Sequence, residues 1–273
     1  MLESFLITSR ETLEASLVVG IVLAYLNRTN NKNYKKTVYY GIVFGILTSL
    51  IAAFLFTFFS GGFEGRAEQI FEGITMLFGA FLLTTMILWM MQQRHIAKEI
   101  EGKVGKHLMA QPLFSHLGIF MLIFIAVIRE GVETVIFLNA INYVSGINFI
   151  GGTLGIIAAI IVGYLFFVST KKINLKKLFS ISSILLILFA AGLVAHGFHE
   201  FEEAGLVSGI VAPLFDINNI LNEKGIVGSF LKGLFGYNGN PSLLEVLAYA
   251  SYLAVIFVLY KRIESSRVKV SVA

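Results

Sequence analysis

Long apolar stretches alternate with short polar segments along the whole chain. Stretches without Lys, Arg, Asp or Glu cover 37–63, 73–93, 108–128, 134–170 and 178–199. A helix that crosses a bilayer needs about 20 predominantly apolar residues, so each stretch is long enough for a span. The stretch at 134–170 is too long for one span, and a polar break at 142–148 divides it. The pattern predicts seven transmembrane helices, at about 4–26, 37–59, 70–91, 115–139, 149–169, 178–199 and 242–260.

The composition agrees with an all-α polytopic membrane protein that forms one integral membrane domain over residues 1–273. Hydrophobic residues make up 56% of the chain, charged residues only 14%, and the mean hydropathy is +0.81. An average soluble domain carries about 25% charged residues, and a disordered chain has low hydrophobicity, so both classes are excluded. Because the chain has no cysteine, disulfides, thiolate catalysis and cysteine-ligated metals are excluded too.

Lysine and arginine are concentrated in alternate loops. Four of them lie in each of the segments 28–36, 94–106, 171–177 and 261–269. The intervening loops together hold only three. The positive-inside rule assigns such basic segments to the cytoplasm, which places the N-terminus outside and the C-terminus in the cytoplasm. The net charge of +4 is therefore a sign of topology, and no nucleic-acid partner is needed to explain it.

Two arginines lie inside predicted helices, and each begins the same motif. Arg-Glu-x-x-Glu occurs at 10–14 in the first helix and at 129–133 in the fourth, 119 residues apart. A charged side chain near the centre of a membrane helix costs roughly 2.5–3.5 kcal/mol on insertion scales. The six charges of the two motifs must therefore pair with one another, face a polar interior or bind a ligand.

The spacing of the motif predicts how its side chains are arranged. Residues at i and i+3 share a helix face, so the two glutamates of each motif point the same way. The arginine lies four residues before the second glutamate and can pair with it. Both motifs fall near the middle of their helices, which predicts one shared site of hard carboxylate ligands for a hard cation near the membrane midplane. The predicted metal ligands are Glu11, Glu14, Glu130 and Glu133, with Arg10 and Arg129 as charge partners.

The duplication extends beyond the motif. Residues 77–82 of the third helix resemble residues 188–193 of the sixth. A unit of three membrane-spanning helices begins and ends on opposite sides of the membrane, so a second copy that follows it has the inverted orientation. The order of the helices therefore predicts a 3+3 inverted repeat with a seventh helix added. Inverted repeats with a midplane site are a transporter architecture. The alternative is that the two motifs are structural ion pairs that lock two helices together.

The paired Arg-Glu-x-x-Glu motifs, in the first and fourth of seven helices, resemble the iron permeases of the oxidase-dependent iron transporter family. Its bacterial branch is also called the iron/lead transporter family, and segment 237–245, Tyr-Asn-Gly-Asn-Pro-Ser-Leu-Leu-Glu, resembles the bacterial members. The resemblance implies iron import across the cytoplasmic membrane, with the four glutamates as iron ligands. It also implies a separate periplasmic or extracellular iron-binding or oxidase partner, because this chain has no long soluble domain.

A second group of ligand-type side chains lies at the outer end of the sixth predicted helix. One interpretation is a metal-capture site outside the membrane, and the other is a solvated helix end. The candidates are His196, His199, Glu200 and Glu203, together with Glu72 at the start of the third helix. Glu245 is left out of this group, because residues 242–245 fit a helix capping box. The methionines around Trp89 are interpreted as packing or lipid contacts.

Three functions remain open from the residues. The first is a metal-ion permease for iron, as Fe(II) or Fe(III), with iron as cargo and no cofactor. The second is a membrane di-iron oxidase, which is disfavoured because carboxylate di-iron sites use Glu-x-x-His pairs and neither motif has that histidine. The third is a proton-coupled carrier of another divalent cation, such as manganese or lead. The expected partners are the iron ion and the lipid bilayer, and a homo-oligomer is compatible with all three.

Overall fold

The computed structural model describes residues 1–92, 96–108, 112–168, 175–207, 211–223 and 225–272. Within these ranges the regular secondary structure is helical. The helices are α1 (Leu2–Arg28), α2 (Lys35–Ser60), α3 (Arg66–Gln92), α4 (Ile96–Leu108), α5 (Pro112–Ser145), α6 (Phe149–Val168), α7 (Leu175–Glu203), α8 (Ile226–Phe235) and α9 (Leu243–Val272). The predicted end of the fifth transmembrane helix at 169, and parts of the basic segments 94–106 and 171–177, lie outside the described residues.

Each predicted transmembrane helix corresponds to one long helix, in the order α1, α2, α3, α5, α6, α7 and α9. The observed helices extend beyond the predicted apolar limits, since a helix continues into the polar residues at the membrane surface; α1, for example, reaches Arg28. Two shorter α-helices lie in the connections, α4 between α3 and α5 and α8 between α7 and α9, and a single 3-10 turn at Lys32–Tyr34 joins α1 to α2.

The polar break predicted at 142–148 is shorter in the structure. Helix α5 continues to Ser145, and the chain turns at Gly146, whose φ is +80°. That conformation favours glycine just after a helix C-terminus. Gly151 N then donates a hydrogen bond to Asn148 Oδ1 at 2.7 Å in the first turn of α6. The first polar residues of the predicted break therefore belong to the last turn of α5.

The described chain forms a polytopic membrane protein. Five of its helical stretches are long and apolar enough to cross a membrane by themselves, and they belong to α2, α3, α6, α7 and α9. Helices α1 and α5 are also long, but they carry the charged motifs. The outward face of α2 shows the contact with lipid most clearly, because Leu50, Phe54 and Phe58 are 62%, 69% and 68% exposed. A large exposed apolar face of this kind marks a membrane contact.

Three helix pairs form most of the packing: α1 with α6, α2 with α5, and α3 with α7. Small residues let two of these pairs approach closely. A Cβ added to Gly41 of α2 would lie 3.0 Å from Ile123 Cβ of α5, and one added to Gly163 of α6 would lie 3.0 Å from Ser16 Cβ of α1. Helices α1 and α5 also contact each other, which brings the two motifs together.

Two apolar clusters fill the interior, one on each side of the motifs. The first cluster contains Ile7 of α1 and Phe137 of α5, packed against residues of α3 and α7. The second contains Val22 of α1 and Val127 of α5, packed against residues of α2 and α4. Helices α1 and α5 therefore run in opposite directions, and on both of them the motif lies between the two clusters.

Candidate metal centre

Three carboxylates from the two motifs converge where α1 meets α5. Glu11 of α1 and Glu130 and Glu133 of α5 each offer one oxygen, and these oxygens lie within 4.8 Å of one another. Glu11 is 1% exposed and Glu130 is 3% exposed. The helical period explains the arrangement, because Glu130 and Glu133 are three residues apart and share the face of α5 that meets α1. We refer to these three residues as the carboxylate centre.

The carboxylate centre has unused oxygen atoms. Both oxygens of Glu11 and Oε2 of Glu130 are buried without a hydrogen-bond partner among the residues that the structure describes. The Arg10 guanidinium is close to Glu11, but its Nη1 lies 3.6 Å from Glu11 Oε1, beyond hydrogen-bond distance. Buried polar groups are nearly always hydrogen-bonded, and unpaired buried charge is costly. A bound cation would supply the missing partner for all three oxygens.

Glu14, the fourth predicted ligand, does not join the carboxylate centre. Its Oε1 lies 3.4 Å from Arg10 Nε, in the i,i+4 pair that the spacing predicts, and the residue is 9% exposed. The charges of Glu130 and Glu133 still repel it, so it lies within electrostatic range of the centre. The structure therefore brings three of the four predicted glutamates together and places Glu14 at the edge.

The two arginines occupy equivalent motif positions with different exposure. The Arg10 side chain is 1% exposed, whereas that of Arg129 is 51% exposed. Arg129 Nε donates a hydrogen bond to Glu130 Oε1 at 2.9 Å, and the same guanidinium contacts that oxygen through Nη2. Arg129 Nε also lies 3.7 Å from Glu133 Oε1, again at i,i+4. Arg10 is thus enclosed, and Arg129 holds one oxygen of the centre from an open side.

Two adjacent residues of α3 contact the two arginines, and sequence reasoning missed both roles. Arg10 Nη2 donates a hydrogen bond to Met90 Sδ at 3.1 Å. The Arg129 guanidinium carbon lies 5.8 Å from the centroid of the Trp89 ring, a cation–π distance. The sequence does place Trp89 and Met90 together, but only the packing of α3 brings them to the motifs. The prediction that this methionine only packs is therefore incomplete.

The candidates at the predicted outer end of α7 do not form one cluster. His196 is buried, and its Nδ1 donates to the Gly192 carbonyl oxygen of its own helix at 3.0 Å. His199 Nε2 lies 3.2 Å from Glu203 Oε1. The carboxylates of Glu200 and Glu203 are close enough to Glu72 of α3 for their negative charges to repel it. The structure thus brings four of the five candidates to one end of the α3–α7 pair and turns His196 away from them.

Glu245 forms the predicted capping box and a further contact. Ser242 N donates to Glu245 Oε1 at 3.0 Å, and Glu245 N donates to Ser242 Oγ at 3.2 Å. The same carboxylate also binds His199, whose Nδ1 lies 3.0 Å from Glu245 Oε1. The capping box could be recognised from sequence because its four residues are contiguous, whereas the contact with His199 spans 46 residues. Glu245 therefore forms the capping box and also lies beside His199 of the outer group.

Comparison with known proteins now decides the family. The sequence model described as "Iron permease FTR1 family" matches residues 1–263 of this chain. The chain belongs to the iron permease FTR1 family. The family resemblance predicted from the paired motifs is confirmed. This membership makes the chain an iron transporter and not an enzyme, so the oxidase alternative is set aside.

Relatives from enteric bacteria match over almost the full chain. The "Ferrous iron permease EfeU" of Yersinia pestis is 33% identical over 263 residues, which cover 95% of this chain and 93% of the relative. The protein of the same name from Escherichia coli O6:K15:H31 (strain 536 / UPEC) is 31% identical over 271 residues, covering 96% and 97%. No solved structure matches this FTR1-family chain. The predicted location in the cytoplasmic membrane, as a multi-pass protein, is confirmed.

Proposed function

We propose that this permease imports iron across the cytoplasmic membrane through the carboxylate centre of Glu11, Glu130 and Glu133. The observation that carries the proposal is the buried position of the Glu11 carboxylate without a hydrogen-bond partner among the described residues. This carboxylate is 1% exposed, has no hydrogen bond within the described part of the chain, and lies beside two carboxylates of the other motif. Mutually repelling carboxylates in that position are stabilised by a cation between them.

The charge balance of the two motifs favours a divalent ion. Their four glutamates and two arginines sum to −2 when all are ionised, so one dication neutralises the site. Several relatives are named "Ferrous iron permease", which agrees with Fe(II) as cargo. We therefore propose Fe(II) as the transported form, bound by carboxylate oxygens that also accept Mn(II). Metal competition separates iron from that second ion.

The helix pairing supports seven spans arranged as an inverted repeat. In such a repeat α1 corresponds to α5, α2 to α6, and α3 to α7. Under this correspondence the contact between α1 and α6 becomes the contact between α5 and α2, and both contacts are present. The same correspondence leaves the α1–α5 and α3–α7 pairs unchanged. A pseudo-two-fold axis between two three-helix units produces this pattern, with α9 as the additional helix. In this arrangement both motifs face one site, which the two units can open to each membrane side in turn.

Reconstituted transport tests the proposed function. Proteoliposomes of the wild type and of Glu130→Gln are compared for uptake of radiolabelled Fe(II) and Fe(III), with Mn(II) as competitor. We expect rapid Fe(II) uptake by the wild type and at least about tenfold slower uptake by Glu130→Gln, because one ligand charge is lost. Glu101→Gln is the matched control, since Glu101 pairs with Arg28 away from the centre. Undiminished uptake by Glu130→Gln, or uptake of Fe(III) alone, would contradict the proposal.

A further inference from the structure

A second set of metal-type ligands lies where α7 meets the start of α9, away from the carboxylate centre. His199 and Glu202 come from the last turns of α7, and Glu245 comes from the first turn of α9. One ligand atom from each of the three lies within 4.8 Å of the other two. Two of these residues, Glu202 and Glu245, stand outside the candidates chosen from sequence.

We propose that His199, Glu202 and Glu245 form a second cation site, which loads a divalent transition-metal ion before it reaches the carboxylate centre. The inference rests on the proposed function in taking Fe(II) as the cargo. The site itself does not depend on the carboxylate centre, because the two share no residue. We refer to it as the loading site. The basic loops place this end of α7 on the outer side of the membrane, from which an imported ion arrives.

An unused oxygen distinguishes the loading site from an ordinary ion-pair network. Ser242 Oγ donates a hydrogen bond to Glu202 Oε2 at 2.5 Å. The other oxygen, Glu202 Oε1, is buried and has no hydrogen-bond partner in the part of the chain that the structure describes. Glu245 is only 2% exposed. Most buried polar atoms have a hydrogen-bond partner, and a cation between the three ligands would give this oxygen one.

The surrounding groups hold each ligand in place. His199 Nε2 faces Glu203 Oε1 at 3.2 Å, and Nδ1 donates a hydrogen bond to Glu245 Oε1 at 3.0 Å. The proton on Nδ1 therefore leaves when an ion binds between these two ligands. A carboxylate on the far ring nitrogen is the usual way in which a metal-binding histidine is oriented. Asn238 Nδ2 donates to Glu245 Oε2 at 2.7 Å. Ser242 contacts both acidic ligands, through its hydroxyl to Glu202 and its backbone N–H to Glu245. The three ligands are therefore positioned before any ion arrives.

The donor set indicates which ions the loading site takes. One imidazole nitrogen and two carboxylate oxygens suit Fe(II), Mn(II), Co(II) and Zn(II), whereas Mg(II) and Ca(II) prefer oxygen ligands alone. The carboxylate centre offers only oxygen ligands. The loading site is thus the more selective of the two against the abundant alkaline-earth ions, which suits the first site on an import route.

Equilibrium binding separates the two sites. Purified full-length protein in detergent is titrated anaerobically with Fe(II), and bound metal is counted for the wild type, Glu202→Gln and Glu130→Gln. We expect two ions in the wild type and one in each variant, with at least about tenfold weaker binding at the altered site, since even an outer-shell change costs 10–100-fold. Glu101→Gln, which removes a carboxylate that pairs with Arg28 and belongs to neither site, is the matched control and should keep two ions.

The outcomes distinguish the loading site from the carboxylate centre. If Glu202→Gln loses an ion and Glu130→Gln does not, the loading site stands and the proposed function fails. If Glu202→Gln keeps the wild-type stoichiometry and affinity, the loading site is overturned whatever Glu130→Gln shows. Uptake supplies a second readout: Glu202→Gln should raise the half-saturating Fe(II) concentration by at least about tenfold and preserve the maximal rate. An unchanged half-saturating concentration overturns the loading role.

Discussion

Arg10 and Arg129 have the same place in the two motifs but different surroundings. Arg10 is enclosed between Glu11, Glu14 and Met90, whereas half of the Arg129 side chain is exposed beside Trp89. Removing one partner of a buried ion pair leaves an uncompensated charge and costs roughly 3–5 kcal/mol. An exposed partner is screened, and its loss costs much less. The two arginines are therefore not equivalent for stability, although the motif is repeated.

The difference predicts unequal stability of two matched variants. Arg10→Gln should lower the midpoint of thermal unfolding in detergent strongly, in line with a loss of about 3–5 kcal/mol. Arg129→Gln should lower it less, because half of that side chain is exposed and less of it is packed inside the protein. The measurement is thermal unfolding of both variants beside the wild type. Equal unfolding midpoints for the two variants would show that the enclosure of Arg10 does not contribute to the stability of the protein.

The motif residues could be predicted from sequence, and their contacts with other helices could not. Charges inside an apolar stretch identify Glu11 and Glu130 without any structure, because burying a charge needs a reason. Met90 and Glu202 carry no such local sign. Their roles depend on which helices become neighbours in the fold. The apolar sequence pattern of a membrane helix does not specify which other helix it packs against. Long-range packing is therefore what the sequence leaves undetermined.

At the scale of elements, close glycine contacts fix the helix pairs around the centre. A Cβ added to Gly45 of α2 would lie 2.8 Å from Val127 Cβ of α5, closer than carbon atoms normally approach. Val127 belongs to the apolar cluster next to the motif of α5. The helices themselves follow from the apolar stretches. The exact ends of the helices cannot be read from these stretches, because capping at residues such as Gly146 depends on the backbone conformation.

Alanine at Gly45 should separate α2 from α5. Overpacking a well-packed contact costs about 1–3 kcal/mol, so Gly45→Ala should lower the unfolding midpoint and slow iron uptake. The control is Gly102→Ala on α4, where an added Cβ meets no atom within 4 Å. Since alanine favours a helix over glycine by roughly 0.5–1 kcal/mol, the control should be as stable as the wild type or more so. A Gly45→Ala protein as stable as the control would exclude a tight α2–α5 contact.

At the scale of the whole molecule, import through both proposed sites requires one orientation of the protein in the membrane. The positive-inside rule predicts that the α1–α2 connection lies in the cytoplasm and the α2–α3 connection outside. In that orientation the proposed loading site would face the side from which iron arrives. The natural chain has no cysteine, so single cysteines can be introduced without any background labelling.

Cysteine labelling tests the orientation. Asn31→Cys lies between α1 and α2, and Gly62→Cys lies between α2 and α3. In intact cells a membrane-impermeant maleimide should label Gly62→Cys and should label Asn31→Cys only after the cells are permeabilised. The reverse pattern would invert the topology and place the loading site in the cytoplasm.

The central claim is that iron binds between the two motifs, and anomalous X-ray scattering at the iron absorption edge tests it most directly. Crystals of the wild type grown anaerobically with Fe(II) should show an anomalous peak within bonding distance of Glu11, Glu130 and Glu133. Crystals of Glu130→Gln under the same conditions should lose that peak. A wild-type crystal with iron bound elsewhere and no peak between these carboxylates would contradict the account.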